Sequence, residues 1–350
     1  MRGDPAESSS SCGDTLLAVS APSGPISSST LSSAPALEPL RHDVGHLSTL
    51  AVDSARDDRV LGVDVWYPAA SAEGVITEYE LIPGVRFQSA SARESVPVIP
   101  GRHPLLVWSH GRTGTRHNYS LLCEALASRG YVVVSPDHPG DGLLDWFMGA
   151  NVDDATNERQ RQGDVRFCID AALGAAAPLA EWTPTSIDAG RVFVGGHSYG
   201  GLTALGTTTK FHEFTPDERV RATVAAQGYT RTLPPGFFAE LQRPTLLIVG
   251  TADATTPPGT DADPAWSIIT GRSDDVAAGS KRIDMEFAPH QGCSDFSLYA
   301  ELAPRVEGLP DAVKTYLDSI AAEVPSQWTS SWRDGLRRHV EHIDTFLLSF

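Results

Sequence analysis

The chain has 350 residues, an apolar fraction of 41% and a formal net charge of −17 at pH 7. That apolar content is ample for a buried core, while scattered basic residues in so acidic a chain argue against a nucleic-acid partner, which demands clustered Lys and Arg. No apolar run approaches membrane-spanning length, so no transmembrane segment is expected.

Residues 1–40 are rich in Ser, Pro and Ala and lack aromatic residues and hydrophobic periodicity, so they read as a disordered tail ahead of one domain over 41–350. The Leu16–Ala21 patch is too short, and lacks the preceding basic region, for a secretory signal. The compartment stays open: soluble, and secreted or periplasmic had a leader been removed, otherwise cytoplasmic. Cys12 lacks the preceding apolar segment of a lipidated cysteine. Cys123, Cys168 and Cys293 have no C-x-x-C spacing, so a structural zinc site is not expected, and Cys123 and Cys168 read as free thiols in separate helices.

From residue 41 onward, Leu47–Val52 and Val60–Tyr67 read as a leading antiparallel pair, and Pro104–Ser109 as a buried strand. Helix and strand then alternate: helix Asn118–Arg129, strand Tyr131–Ser135, helix Asn157–Leu173, strand Arg191–Gly195. Strands Ala222–Ala226, Thr245–Gly250 and Arg282–Phe287 follow, with a last amphipathic helix over Ser331–Leu348. This pattern predicts an α/β fold whose mostly parallel sheet is covered by helices on both faces, with the site at the carboxyl ends of the strands.

The strand over Arg191–Gly195 runs into Gly196-His197-Ser198-Tyr199-Gly200. A strand, a glycine-flanked turn and a helix is the setting in which G-x-S-x-G exposes a strained nucleophilic serine. A serine hydroxyl needs a base, and the base an orienting acid. Asp253, just past strand Thr245–Gly250, is the candidate acid; Asp261 and Asp263 are rivals further along the same loop. His290, after strand Arg282–Phe287, is the candidate base. His212, His339 and His342 read as solvated side chains, and His197 as packing beneath the serine. Two backbone N–H groups would face the oxyanion, those of Tyr199 and of Arg112 in Ser109-His110-Gly111-Arg112-Thr113-Gly114. Trp146 and Phe147 in the Leu143–Met148 segment, Tyr229 ahead of Pro234 and Pro235, and the Thr255–Ser280 insertion are candidates for the substrate pocket.

Pro104–Gly111, Asp137-His138-Pro139-Gly140, Asp164–Asp170, Gly196–Gly201, and His290-Gln291 followed by Asp295-Phe296 together resemble α/β-hydrolases of the platelet-activating factor acetylhydrolase and predicted dienelactone hydrolase type. The resemblance spans roughly 63–296. It implies Ser198 as nucleophile, Asp253 as acid, His290 as base, the Arg112 and Tyr199 amides as oxyanion hole, and no metal or cofactor. Arg112 stands where the acetylhydrolases commonly carry an apolar residue, and Ser198 where dienelactone hydrolases proper carry a cysteine. The expected activity is hydrolysis of a small-molecule or lipid carboxylic ester, short acyl groups favoured. A polyester hydrolase of cutinase type and an acyltransferase are alternatives on the same residues, and a non-catalytic binding protein is a third. Oligomeric state is left open.

Overall fold

Successive residues of a strand face opposite ways, and here both faces are apolar, so each strand supplies two cores. Leu105 and Val107 point to one face and Leu106 and Trp108 to the other; Val192 and Val194 alternate likewise with Phe193. The computed structural model describes residues 29–31, 36–82, 85–302, 304, 309, 311–322, 324–329 and 331–350.

Among these, eleven strands form one sheet. In chain order they are β1 (Ser29–Leu31), β2 (Asp43–Asp53), β3 (Arg59–Ala69), β4 (Ile76–Ile82), β5 (Val85–Glu94), β6 (His103–Ser109), β7 (Val132–Pro136), β8 (Ile187–His197), β9 (Val220–Ala226), β10 (Thr245–Gly250) and β11 (Lys281–Met285). Their spatial order is β1-β5-β2-β3-β7-β6-β8-β9-β10-β11, with β4 hydrogen-bonded to β5. From β7 to β11 every pairing is parallel. β2–β3 and β3–β7 are antiparallel. The expected parallel sheet with a leading antiparallel pair is present.

On one face lie helices Ser120–Ser128 and Trp332–Leu347, packed over Leu106, Trp108, Phe193, Val224 and Ile248. The other face carries helix Asp154–Leu173 over Val107, Val134 and Val194, and helices Tyr199–Gly206 and Ala262–Thr270 over Ala225, Leu247 and Val249. The helices thus cover both faces.

Two features depart from the sequence expectations. Ser29–Leu31 pairs in parallel with β5, Leu37 packs against the core, and Glu38 takes a bidentate bond from Arg129, so part of the stretch read as a tail is built into the fold. The rest of that stretch up to 35, with Cys12, lies outside the described residues. The β4–β5 hairpin was not expected. It clips onto helix Ser120–Ser128 through the buried Glu124 carboxylate, which accepts from Tyr79 Oη at 2.6 Å, Ser89 Oγ at 2.7 Å and Ser91 Oγ. Cys123 and Cys168 are free, as the sequence reading expects, and with Cys293, also free, they are buried.

Candidate active site

The elbow is built by close backbone approach. A Cβ on Gly200 would lie 2.0 Å from the Ser109 carbonyl oxygen, and one on Gly196 would lie 2.3 Å from that of Gly200, so β6, β8 and the helix can converge only with glycine at both positions. The turn between them holds Ser198 at φ 55° and ψ −117°, a conformation that L residues avoid and that surrounding packing must enforce.

Around Ser198 the structure brings together two residues from distant loops. His290 Nε2 is 3.0 Å from Ser198 Oγ, and His290 Nδ1 is 2.9 Å from Asp253 Oδ2. With Nδ1–H donating to the carboxylate, Nε2 is left to accept from the serine hydroxyl. Burial would raise the Asp253 pKa, but hydrogen bonds from His290 and Thr256 outweigh it and hold the carboxyl below its usual range. Thr256, which sequence reading missed, donates its N–H to Oδ1 at 2.7 Å and its hydroxyl to Oδ2 at 2.6 Å. Asp261 and Asp263 are committed elsewhere. The first accepts from the Thr230 and Arg231 amides, and the second pairs with Arg282 at 2.6 Å.

His290 owes its place to the end of β11. The strand stops at Met285, two residues short of expectation, because Phe287 turns into left-handed backbone at φ 58°, its N–H anchored on Thr251 Oγ1 at 2.9 Å.

The orientation of the two candidate oxyanion amides follows from peptide planarity, since in a trans unit N–H and C=O point opposite ways. The Ser198 carbonyl accepts from Tyr229 N–H and Gly201 N–H, both at 2.9 Å, so the Tyr199 N–H is directed away from them. At the first turn of its helix that amide has no intrahelical acceptor. The Gly111 carbonyl is held by His110 Nδ1 at 2.7 Å, Gly114 N–H at 3.1 Å and Arg161 Nη2 at 3.2 Å, which turns the Arg112 N–H the other way.

Arg161 is fully buried on helix Asp154–Leu173. Its guanidinium pairs with Asp141 at 2.7 Å and donates to the His110 carbonyl at 2.7 Å and Ser109 Oγ at 3.1 Å. Burial and this cation keep His138 neutral, its pKa pushed down to about 4, and push His110 down as well. The Arg112 side chain lies over the Tyr199 ring, 5.1 Å from its centroid, and pairs with Asp154 at 2.6 Å. Tyr229 stacks on Tyr199 at 5.7 Å, so both rings and Arg112 lie beside the serine. Trp146 packs on Phe147 at 5.0 Å and on Tyr316 at 5.7 Å, and Tyr316 bonds Thr113 in the Gly111–Gly114 loop. These two aromatics are therefore part of an aromatic cluster beside that loop, with Trp146 half exposed.

Two histidines are not solvated as expected. His339 is fully buried, bonded to the Gly335 carbonyl at 2.9 Å and Gln227 Nε2 at 3.1 Å, and burial pushes its pKa down to about 4. His212 pairs with Glu158 at 2.6 Å.

The sheet order, with the strained Ser198 after β8, Asp253 after β10 and His290 beyond β11, is that of the α/β-hydrolase fold. Residues 80–160 match the family model of "Platelet-activating factor acetylhydrolase, isoform II". That stretch includes the Gly111–Gly114 loop and ends before Ser198. The chain is 25% identical over 203 residues to the platelet-activating factor acetylhydrolase of Gallus gallus, the match covering 45% of this chain and 46% of that protein. The chain thus spans about half the length of this curated relative. A ferulic acid esterase from Streptomyces cinnamoneus superposes with a TM-score of 0.65 at 23% identity, covering 92% of each chain, a likeness of fold.

Proposed function

We propose that the protein hydrolyses carboxylic esters through an acyl-enzyme, with Ser198 as nucleophile, His290 as base and Asp253 as its orienting acid. The observation that carries this reading is the unbroken Ser198–His290–Asp253 hydrogen-bond chain beneath a serine in left-handed backbone.

His290 Nε2 takes the hydroxyl proton as Ser198 Oγ attacks the ester carbon, and the low pKa of Asp253 lets it remain a carboxylate against the imidazolium that forms. The negative charge that develops on the carbonyl oxygen meets the Tyr199 and Arg112 amides. His290 then protonates the leaving alkoxide, and water repeats the sequence on the acyl-enzyme. The acetylhydrolase in Gallus gallus and the rings of Tyr199 and Tyr229 beside the serine favour a short acyl group.

Hydrolysis of p-nitrophenyl esters from acetate to palmitate by wild type and Ser198→Ala tests the proposal. Acetate or butyrate should be cleaved fastest, and the variant should lose roughly 10⁴-fold or more in turnover. A wild type that neither hydrolyses any ester nor reacts with a fluorophosphonate would leave a binding protein as the reading.

A further inference from the structure

Resting on that esterase reading, we propose that Tyr119 and His197 form a buried positioning strut that holds the oxyanion loop and the base loop at a fixed separation on either side of Ser198. Neither residue touches the reacting atoms.

The strut is a chain of three hydrogen bonds. Gly111 N–H lies 3.1 Å from Tyr119 Oη, Tyr119 Oη 2.8 Å from His197 Nδ1, and His197 Nε2 2.7 Å from the His290 carbonyl oxygen. Each direction follows from the next. A carbonyl only accepts, so His197 Nε2 carries a hydrogen. Burial and the neighbouring His290 push the His197 pKa down to about 3, so the ring is neutral and Nδ1 is bare. Tyr119 must then donate to Nδ1 while accepting from Gly111 N–H. For a neutral ring, no other arrangement of protons satisfies all three contacts.

The ends of the chain lie where geometry matters for the proposed reaction. Gly111 immediately precedes Arg112, whose amide would face the oxyanion, and His290 is the proposed base. The strut passes directly under the nucleophile: a Cβ on Gly111 would sit 3.1 Å from His197 Nδ1 and 3.3 Å from Ser198 Cβ. A second brace lies beside it. Asp295 accepts from Ser120 N–H and Ser120 Oγ, both at 2.6 Å, and its own N–H reaches the Asn118 carbonyl at 2.8 Å. The chain segment carrying Tyr119 is therefore fixed to the segment following His290 on both sides of the tyrosine. Displacement of a reacting group by about 1 Å can lower a rate on the order of 100-fold, so a strut between the two loops bears on turnover more than on substrate binding.

The test uses Tyr119→Phe, His197→Leu, their double variant and His197→Gln. Each is measured for steady-state hydrolysis of p-nitrophenyl butyrate, for fluorophosphonate labelling rate and for fraction folded at the assay temperature. Tyr119→Phe and His197→Leu should each lower kcat by roughly 10- to 100-fold with KM within about threefold. The double variant should be no worse than the poorer single one, because both break the same chain. His197→Gln, whose amide can donate to His290 and accept from Tyr119, should recover most of kcat. Tyr119→Phe within twofold of wild type, additive losses in the double variant, or no difference between His197→Gln and His197→Leu would each overturn the strut. Should Tyr119→Phe not fold, the His197 pair decides alone. A wild type that neither hydrolyses nor labels overturns the esterase reading itself, an outcome distinct from an active wild type whose strut variants are indifferent.

Discussion

Two buried histidine environments differ in charge, one neutral and one cationic. Beside the candidate site, His138 is pushed down to about 4, by burial first and the Arg161 cation second. At the β2–β3–β5 edge His46 is equally buried, yet hydrogen bonds and charge from Asp64 and Glu94 overcome the desolvation and raise it to about 9. There it borders a polar hollow of about 490 Å³, lined also by Asp64, Glu94, Arg116 and His117, that contains none of Ser198, Asp253 and His290. Burial acts in the same direction at both places, so the balance of neighbouring charge decides. Two carboxylates make the edge histidine a structural cation, whereas the Arg161 cation offsets the Asp164 carboxylate that His138 Nδ1 bonds at 2.9 Å and leaves that ring neutral.

Breaking the arginine half of this contrast should have the largest effect. Arg161→Met takes the buried guanidinium from Asp141, leaving that carboxylate to Asn157 Nδ2 and Arg112, and removes a donor from the His110 and Gly111 carbonyls, so stability should fall by roughly 3–5 kcal/mol and the proposed ester hydrolysis should be lost. Urea melts with parallel activity assays check this, and an active variant of unchanged midpoint would remove Arg161 from the account.

The carboxylate half should break more mildly. Asp64→Asn takes the anion from His46, His117 and Arg116, but Glu94 and Asp137 still face two of them, so a loss near 3 kcal/mol is expected. Turnover should stay within about twofold, because the hollow lies outside the proposed chemistry. Equal activity losses in Asp64→Asn and Arg161→Met would erase the distinction between the two regions.

The smallest effects appear in the pH dependence of the melting temperature. The folded pKa of His46 is raised, so its contribution is full below 6.5 and is lost as pH climbs through about 9. His46→Gln should flatten that alkaline limb. His138 and His339 are depressed to about 4, so the unfolded chain takes up protons first and stability is lost as pH falls from 6.5 through about 4. His339→Gln should shrink the acid limb and leave the alkaline one alone.

How much of this was legible in the sequence depended on whether the signal was local. Gly196–Gly200, the apolar runs before it and the loop positions of Asp253 and His290 could be read because strand, turn and glycine each leave a mark within a few residues. The β4–β5 hairpin could not: its inward residues include Ser89 and Ser91, polar side chains that suit burial only because Glu124 comes from another element to meet them. Arg161 was not singled out for the same reason, although its spacing to Val165 and Cys168 sets it on the buried face. His339 carried the same overlooked mark, since Leu336, Val340 and Ile343 around it define the inner stripe of the last helix. Tyr119 left no mark, because its partners are 8 and 78 residues away.

The proposed base, His290, hangs from an edge of the sheet. β11 has five residues and a single neighbour, β10, whereas the serine follows β8, which is paired on both sides. Edge strands open at lower free energy than the interior of the same sheet. On heating, β11 can detach and carry His290 away while the rest of the molecule is still intact. Loss of the proposed ester hydrolysis on heating would then run ahead of the melting curve, and the temperature at which it stops would report the hold of one short strand.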